Sequence, residues 1–537
     1  MPEHYKSLKT FEIGYTNFLT DNQTSVCADL DEQGRFTAKI PVLNSTEFFC
    51  DWQRCFVNTM LEPGKTYFLL YDFKEGRRYF MGDDCRLQNE MFSEMLKWEI
   101  ASIFRDKDGS FAKIHEQFEA GKATAELFDE YIASMDSLLQ KLNASIDALC
   151  EAHPTFSTRF NLYMKGLMRV SLARDLGQAR FNAPQRQLPD NARKYAYDMF
   201  WTKMEEPITL YRDMSTFLRD YIDDVSRSFP AKYSFRIQDF IDEYASNDEE
   251  LALLTRWKEW LTDAHARVEA ASTQEEKQKV AEKLDADNTD MIQKVNKIIN
   301  TPKNLKVLST KGLASRLKNY GWMLDSLQAA PIVKDFTLAK MLYHEIDYNR
   351  TSLPLEVIDT LKTLVKNPEC IAMVEKVNDR YLAIENREFD KLVLKSSDNL
   401  KDLSEGEALL RKILEPYKGK FVLLDIWGTW CGPCKEALSH STEEYARLKD
   451  YDIEFLYLAN NSPQTAWENV IKEYNVSGDN VAHYNLPAEQ QAAIERHLDV
   501  HAWPTYKLFD RNGNLFDLKV DARDLNGLVQ LLDKMKD

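Results

Sequence analysis

Two cysteines three positions apart, in Trp430-Cys431-Gly432-Pro433-Cys434, are the residues of this chain best placed to do chemistry. Sulfur reacts as the thiolate, and a free thiol with a pKa of about 8.5 is only a few per cent ionised at pH 7. The apolar run Phe421-Val422-Leu423-Leu424-Asp425-Ile426 ahead of the pair predicts a buried strand, and Lys435 through Leu448 predicts a helix. Cys431 would then sit at a strand-to-helix corner, facing the helix N-terminus. The unpaired N–H groups and the positive end of the dipole there favour an anion. In a C-x-x-C site of this kind the pKa falls to roughly 7, which is about 2 kcal/mol of thiolate stabilisation. The expected chemistry is attack on a disulfide by Cys431, with Cys434, one helical turn on, resolving the mixed disulfide.

The chain has eight cysteines in 537 residues, so about 0.1 C-x-x-C pairs would arise by chance. Spacing alone is therefore moderate support. The other six, Cys27, Cys50, Cys55, Cys85, Cys150 and Cys370, read as small buried hydrophobes. Cys50 and Cys55 could also meet across a hairpin. A zinc site would want a second pair of ligands at similar spacing, and a c-type haem would want histidine where Lys435 stands. His440, His483, His497 and His501 show no ligand spacing, so no metal is expected. No flavin or nicotinamide fingerprint is visible, and no cofactor is expected.

The elements that must hold the pair belong to a chain too long for one core, so two to four domains are expected. A hydrophobic content of 44% with 12% aromatics predicts a folded protein. No window approaches eighteen apolar residues, so no membrane span is expected. The polar start, Met1-Pro-Glu-His-Tyr-Lys6, shows no secretory h-region, although a trimmed chain would look the same. A net charge of −17 argues against a general nucleic-acid binder, because phosphate would be repelled.

Glycine divides the chain: five fall before residue 90, six between 90 and 400, and seven after 400. Residues 1–88 read as an antiparallel β-sandwich. Ser25–Leu30 and Arg35–Pro41 flank the turn Asp31-Glu32-Gln33-Gly34, and Thr66–Tyr71 and Arg78–Met81 follow the turn Glu62-Pro63-Gly64-Lys65. Residues 89–398 read as α-helical, with amphipathic stretches such as Thr124–Cys150 and Leu251–Ala270. Ser272 with Glu275, and Ser404 with Glu407, have capping-box spacing. In residues 399–537 strands and helices alternate: Ile453–Ala459 a strand, Thr465–Tyr474 and Glu489–His497 helices. Thr505–Asp510 and Leu515–Val520 form a hairpin, and a last helix follows. The fold class expected is multidomain α+β, ending in an α/β domain.

Asp425-Ile-Trp-Gly-Thr-Trp-Cys-Gly-Pro-Cys-Lys435, with Trp503-Pro504-Thr505 downstream, resembles the thioredoxin superfamily, and more narrowly its TlpA/ResA-like disulfide reductases of the bacterial cell envelope. The three-part layout also resembles multidomain members labelled AhpC/TSA, although a peroxiredoxin's cysteine motif is lacking. The close resemblance covers about 400–537 and implies a thioredoxin-like fold there. It implies Cys431 as nucleophile, Cys434 as buried resolving thiol, Pro504 as a cis-proline facing them, and Asp425 as a buried carboxylate able to take the proton of Cys434. Trp430, Gly432, Pro433, Trp503 and Thr505 would line the substrate side, with Trp430 a lid. Glu436 is a weaker candidate and Lys435 reads as a helix-face charge. The function implied is reduction of disulfide-bonded envelope proteins in the periplasm, with electrons from a membrane thiol-transfer protein and oligomers possible. The Gly-Pro pair resembles that of thioredoxin, at about −270 mV, and not that of oxidants near −120 mV. A disulfide oxidase or isomerase is one alternative. A binding or scaffold protein using the β and helical regions is the other.

Overall fold

The computed structural model describes residues 9–17, 23–42, 44–52, 55–72, 75, 77–91, 110–120, 124–204, 207, 210–233, 235–516, 518 and 522–535. Two compact units result: residues 1–338 with 364–369, and residues 339–363 with 370–537.

In the first unit, strands β1 (Thr10–Thr16), β2 (Gln23–Asp29), β3 (Thr46–Trp52) and β4 (Cys55–Leu61) form an antiparallel sheet in the order β2-β1-β3-β4. A second sheet is the hairpin β5 (Tyr67–Asp72) and β6 (Arg77–Gly82). Phe11, Ile13, Tyr15, Phe48 and Cys50 from the first sheet share one core with Phe80, Tyr67, Leu69 and Tyr71 from the second. The expected turns form, with Gly34 at φ 77° and Gly64 at φ 71°. The strand expected at Arg35–Pro41 does not form. Phe36, Ala38 and Ile40 do alternate onto the core, and Phe36 stacks on Phe11 at 4.3 Å, but among the described residues no strand pairs with this segment. Burial pattern alone therefore mimicked a strand. Cys50 is a free thiol in contact with Tyr71 Oη at 3.7 Å, and it lies opposite Val57 in the ladder, so it makes no disulfide with Cys55.

Long helices follow. Ala125–Ala152 is capped by Thr124, whose hydroxyl accepts from the N–H of Leu127, and it buries Leu127, Phe128, Tyr131, Met135, Leu142, Ile146 and Leu149 at helical spacing. The helix expected at Leu251–Ala270 is Asp248–Glu269. The capping box sits one residue later than expected: Thr273 Oγ1 accepts from Glu276 N–H at 3.2 Å, and the Glu276 carboxylate accepts from Thr273 N–H at 3.2 Å. That register also lets Glu276 take the Ser272 N–H, at 3.1 Å. Among the described residues, no helix is long and apolar enough to cross a membrane.

The second unit is built on a five-stranded sheet in the order β11-β10-β7-β8-β9. Its strands are β7 (Phe421–Trp427), β8 (Ile453–Ala459), β9 (Val481–Tyr484), β10 (Thr505–Phe509) and β11 (Leu515–Phe516). β7, β8 and β9 run parallel, and β10 pairs antiparallel with β7 and β11. β7 and β8 are buried along their whole lengths, as parallel strands covered on both faces must be. Three expectations change. β9 was not foreseen, because four residues carry little periodic signal. The helix expected at Lys435–Leu448 is two, Gly432–Leu438 and Ser441–Leu448. Ser439 Oγ bonds back to the Glu436 carbonyl at 2.6 Å, which competes with continuing the helix. Ser404 caps nothing: the helix Gly406–Leu414 starts at a glycine whose absent Cβ would meet the Ala493 carbonyl oxygen at 2.2 Å. Close approach to the helix Ala488–His497 sets that start.

Packing groups residues differently from composition. Helical residues 339–363 and 370–398 belong with this second unit. Helix formation is local, whereas the choice of packing partner is not.

Candidate active site

Strand alternation decides what faces the cysteines. Phe421, Leu423 and Trp427 enter the core cluster that contains Cys431 and Cys434, while Val422, Leu424 and Ile426 enter the cluster on the other face. Asp425 shares the parity of the first set and so points to the cysteine side of the sheet. β7 ends at Trp427, and four residues later Cys431 stands in the N-cap position of the helix Gly432–Leu438, with Pro433 in its first turn. Cys431 Sγ accepts the backbone N–H of Cys434 at 3.1 Å, and the two sulfurs are joined as a disulfide. Cys434 is fully buried and Cys431 is 4% exposed.

The corner is tied down from behind. Asn460 N–H donates to the Trp427 carbonyl at 2.7 Å, and Thr429 N–H to Ser462 Oγ at 3.0 Å. Asn460 is itself held by Glu495, at 2.8 and 3.0 Å, and Gln491 donates to the same carboxylate at 2.9 Å. The exposed Trp430 donates its indole N–H to the Asn460 carbonyl at 3.2 Å and meets Trp503 edge-on at 5.3 Å. A Cβ at Gly428 would meet Trp430 Nε1 at 2.6 Å, so glycine is needed for that pose. The Trp503–Pro504 peptide is cis. Thr505 Oγ1 donates to the Ala502 carbonyl at 2.6 Å while its backbone pairs with Ile426. A Cβ at Gly432 would meet nothing within 4 Å.

Asp425 is 5% exposed, and Oδ1 has no hydrogen-bond partner among the described residues. Burial, reinforced by the nearby Glu444 charge and opposed by a hydrogen bond from Tyr506, holds its carboxyl well above the usual carboxylate range. Burial also pushes Glu444 up to about 7. Tyr445 and Tyr457 share a hydrogen bond at 2.8 Å and both feel Asp425 and Glu444. Two carboxyls and three tyrosines thus make a largely buried polar group on the cysteine side of the sheet. Glu436 is exposed and lies 3.6 Å from His440, and His501 is paired with Asp499 at 2.8 Å on the surface. Among the described residues, no group of three or more His, Cys, Asp or Glu side chains is arranged to hold a metal.

Sequence reasoning missed Asn460, Ser462, Gln491, Glu495, Glu444 and the tyrosines. They come from segments far apart in the chain, and no local spacing marks them.

Residues 419–515 match a family described as thioredoxin-like. The chain is 26% identical over 122 residues to thiol-disulfide oxidoreductase ResA from Bacillus cereus, which covers 23% of this chain and 67% of that protein. It is 28% identical over 102 residues to ResA from Bacillus thuringiensis, covering 19% of this chain and 56% of that one. The solved thioredoxin domain of a thiol-disulfide oxidoreductase from Bacteroides vulgatus aligns at 20% identity over 22% of this chain and 84% of its own, with a TM-score of 0.20. The chain thus spans between about half and two thirds of the length of these relatives. Residues 419–515 thus resemble a thioredoxin-like domain of the TlpA/ResA kind, and the curated relatives they resemble are thiol-disulfide oxidoreductases.

Proposed function

We propose that the protein reduces disulfides of other proteins, with Cys431 as nucleophile and Cys434 as resolving thiol. The observation that supports this most is Cys431 Sγ at a helix N-cap, accepting the Cys434 N–H, in a buried pair of which Cys431 alone keeps a small exposure, next in the chain to the exposed Trp430. In the reduced pair the Cys431 thiolate attacks one substrate sulfur, and the other leaves as a thiolate that takes a proton from water. The Asp425 carboxylate accepts the proton of Cys434. Cys434 then attacks Cys431 Sγ, and the second substrate thiolate departs. The substrate gains two electrons, and the pair closes as the disulfide. Trp430, Gly432, Pro433, Trp503, Pro504 and Thr505 form the face on which an extended substrate segment lies.

The finer reading is carried by the family resemblance: a periplasmic or envelope protein, a membrane thiol-transfer electron donor, and disulfide-bonded envelope substrates. By element type its layout is an N-terminal β-sandwich (1–88), a helical region (89–398) and the redox domain (399–537), with helical residues 339–363 and 370–398 packed in the same unit as the redox sheet. Replacing Cys434 with serine tests the mechanism: mixed disulfides through Cys431 with particular proteins should accumulate. A protein that keeps its partners after both cysteines are lost is instead a redox-inactive adaptor. A midpoint near −120 mV in glutathione buffers would make it an oxidase.

A further inference from the structure

The helix Gln464–Tyr474 lies between the cysteine pair and a charged clamp. Trp467, Val470 and Ile471 pack in the core cluster that holds Cys431 and Cys434, with Tyr474 against it. Asn469, Lys472 and Glu473, on the adjoining face, bind the helical segment of the same unit. Buried Asn469 Nδ2 donates to the Arg350 carbonyl at 2.7 Å, where Arg350 takes a φ of 53°. The buried Arg350 guanidinium meets Glu473 at 3.6 Å and Asp347 at 3.4 Å, and it donates to Tyr381 Oη. Arg380 pairs with Glu473 from the other side. Lys472 Nζ reaches the Glu385 carbonyl at 2.8 Å, and Arg387 reaches the Lys472 carbonyl at 2.7 Å. Leaving a guanidinium 6% exposed is costly without a purpose that paired apolar side chains could not serve.

We propose that Arg350 is a positioning residue of the redox site: its fixed positive charge, held one helix away, sets how readily the Cys431–Cys434 pair gives up electrons. This rests on the proposed reductase reading and names what tunes that site. Lys435, next to Cys434, responds to the same groups. Burial and then Arg350 lower its pKa, while Asp347 and Glu473 oppose this. The charges that set the local field are therefore Arg350, Arg380 and Lys435 against Asp347 and Glu473. Removing Arg350 takes this set from one positive charge in excess to balance, which disfavours the thiolate of the reduced state and so favours the disulfide.

The test is equilibration of the full-length protein with dithiothreitol, which closes its own ring disulfide as Cys431–Cys434 opens to two thiols. Arg350→Met should shift the equilibrium three- to tenfold toward the oxidised pair, about 15–30 mV more negative at 29.6 mV per decade. Arg350→Lys should return it to within about twofold. Glu473→Gln, which removes the opposing charge, should shift it the other way and stands in if Arg350→Met does not fold. Loss of structure alone would move both variants in one direction, and that result, or no shift in either, overturns the proposal. A wild-type protein with no reversible midpoint would instead overturn the reductase reading itself.

Discussion

Replacing Glu444 with glutamine tests whether the buried acids on the cysteine side of the sheet are coupled. Burial holds the Glu444 carboxyl near 7 in the folded protein, against 4.5 for an ordinary glutamate. The folded state therefore binds its proton more tightly than the unfolded chain does. The penalty from ionising it is absent below pH 4.5, grows as pH rises, and is complete above about 7. At 1.36 kcal/mol per pH unit it amounts to at most about 3 kcal/mol at pH 8 and about 1 kcal/mol at pH 5. Glutamine carries no charge, so the variant should be more stable than the parent by up to those amounts. Urea unfolding of the oxidised protein at the two pH values reads this directly. A second readout follows from chemistry: without the Glu444 charge, Asp425 ionises at lower pH. The acid limb of the rate at which Cys434 resolves a mixed disulfide should move to lower pH with it. An equal stability change at both pH values, or an unmoved acid limb, would refute the coupling.

Asp425→Asn should slow the decay of a preformed mixed disulfide about a hundredfold or more, since a proton acceptor is lost; stopped-flow quenching follows it. The same variant should unfold later than the parent at pH 8 and not at pH 3, because a buried acid with a raised pKa destabilises only once it ionises. Gly428→Ala puts a methyl into Trp430 Nε1 and should break the indole's bond to Asn460. Turnover of a peptide disulfide should fall several-fold through KM, while unfolding shifts by about 1 kcal/mol.

Local pattern reached some features and not others. The apolar runs of β7 and β8 and the Cys-Gly-Pro-Cys corner follow from neighbouring residues, and the sequence points to all three. The helix break at Ser439 turns on one hydroxyl bonding back to the Glu436 carbonyl, which helix formers on either side conceal. The start at Gly406 is set by a helix 87 residues away, whereas the register of the Thr273 cap is decided by which glutamate can take both the Thr273 and the Ser272 N–H. Asp425 could be singled out, but the Glu444 charge that raises it lies beyond a break no pattern revealed. The Arg350 clamp joins positions more than 100 residues apart, so nothing in local spacing ties those helices to the sheet.

The most direct measurement is alkylation of the reduced protein by iodoacetamide across pH 4–10, with modification mapped to Cys431. A helix N-cap sulfur that accepts the Cys434 N–H should show a half-maximal rate near pH 7. A midpoint near 8.5, with Cys431 no more reactive than the exposed Cys27, would contradict it.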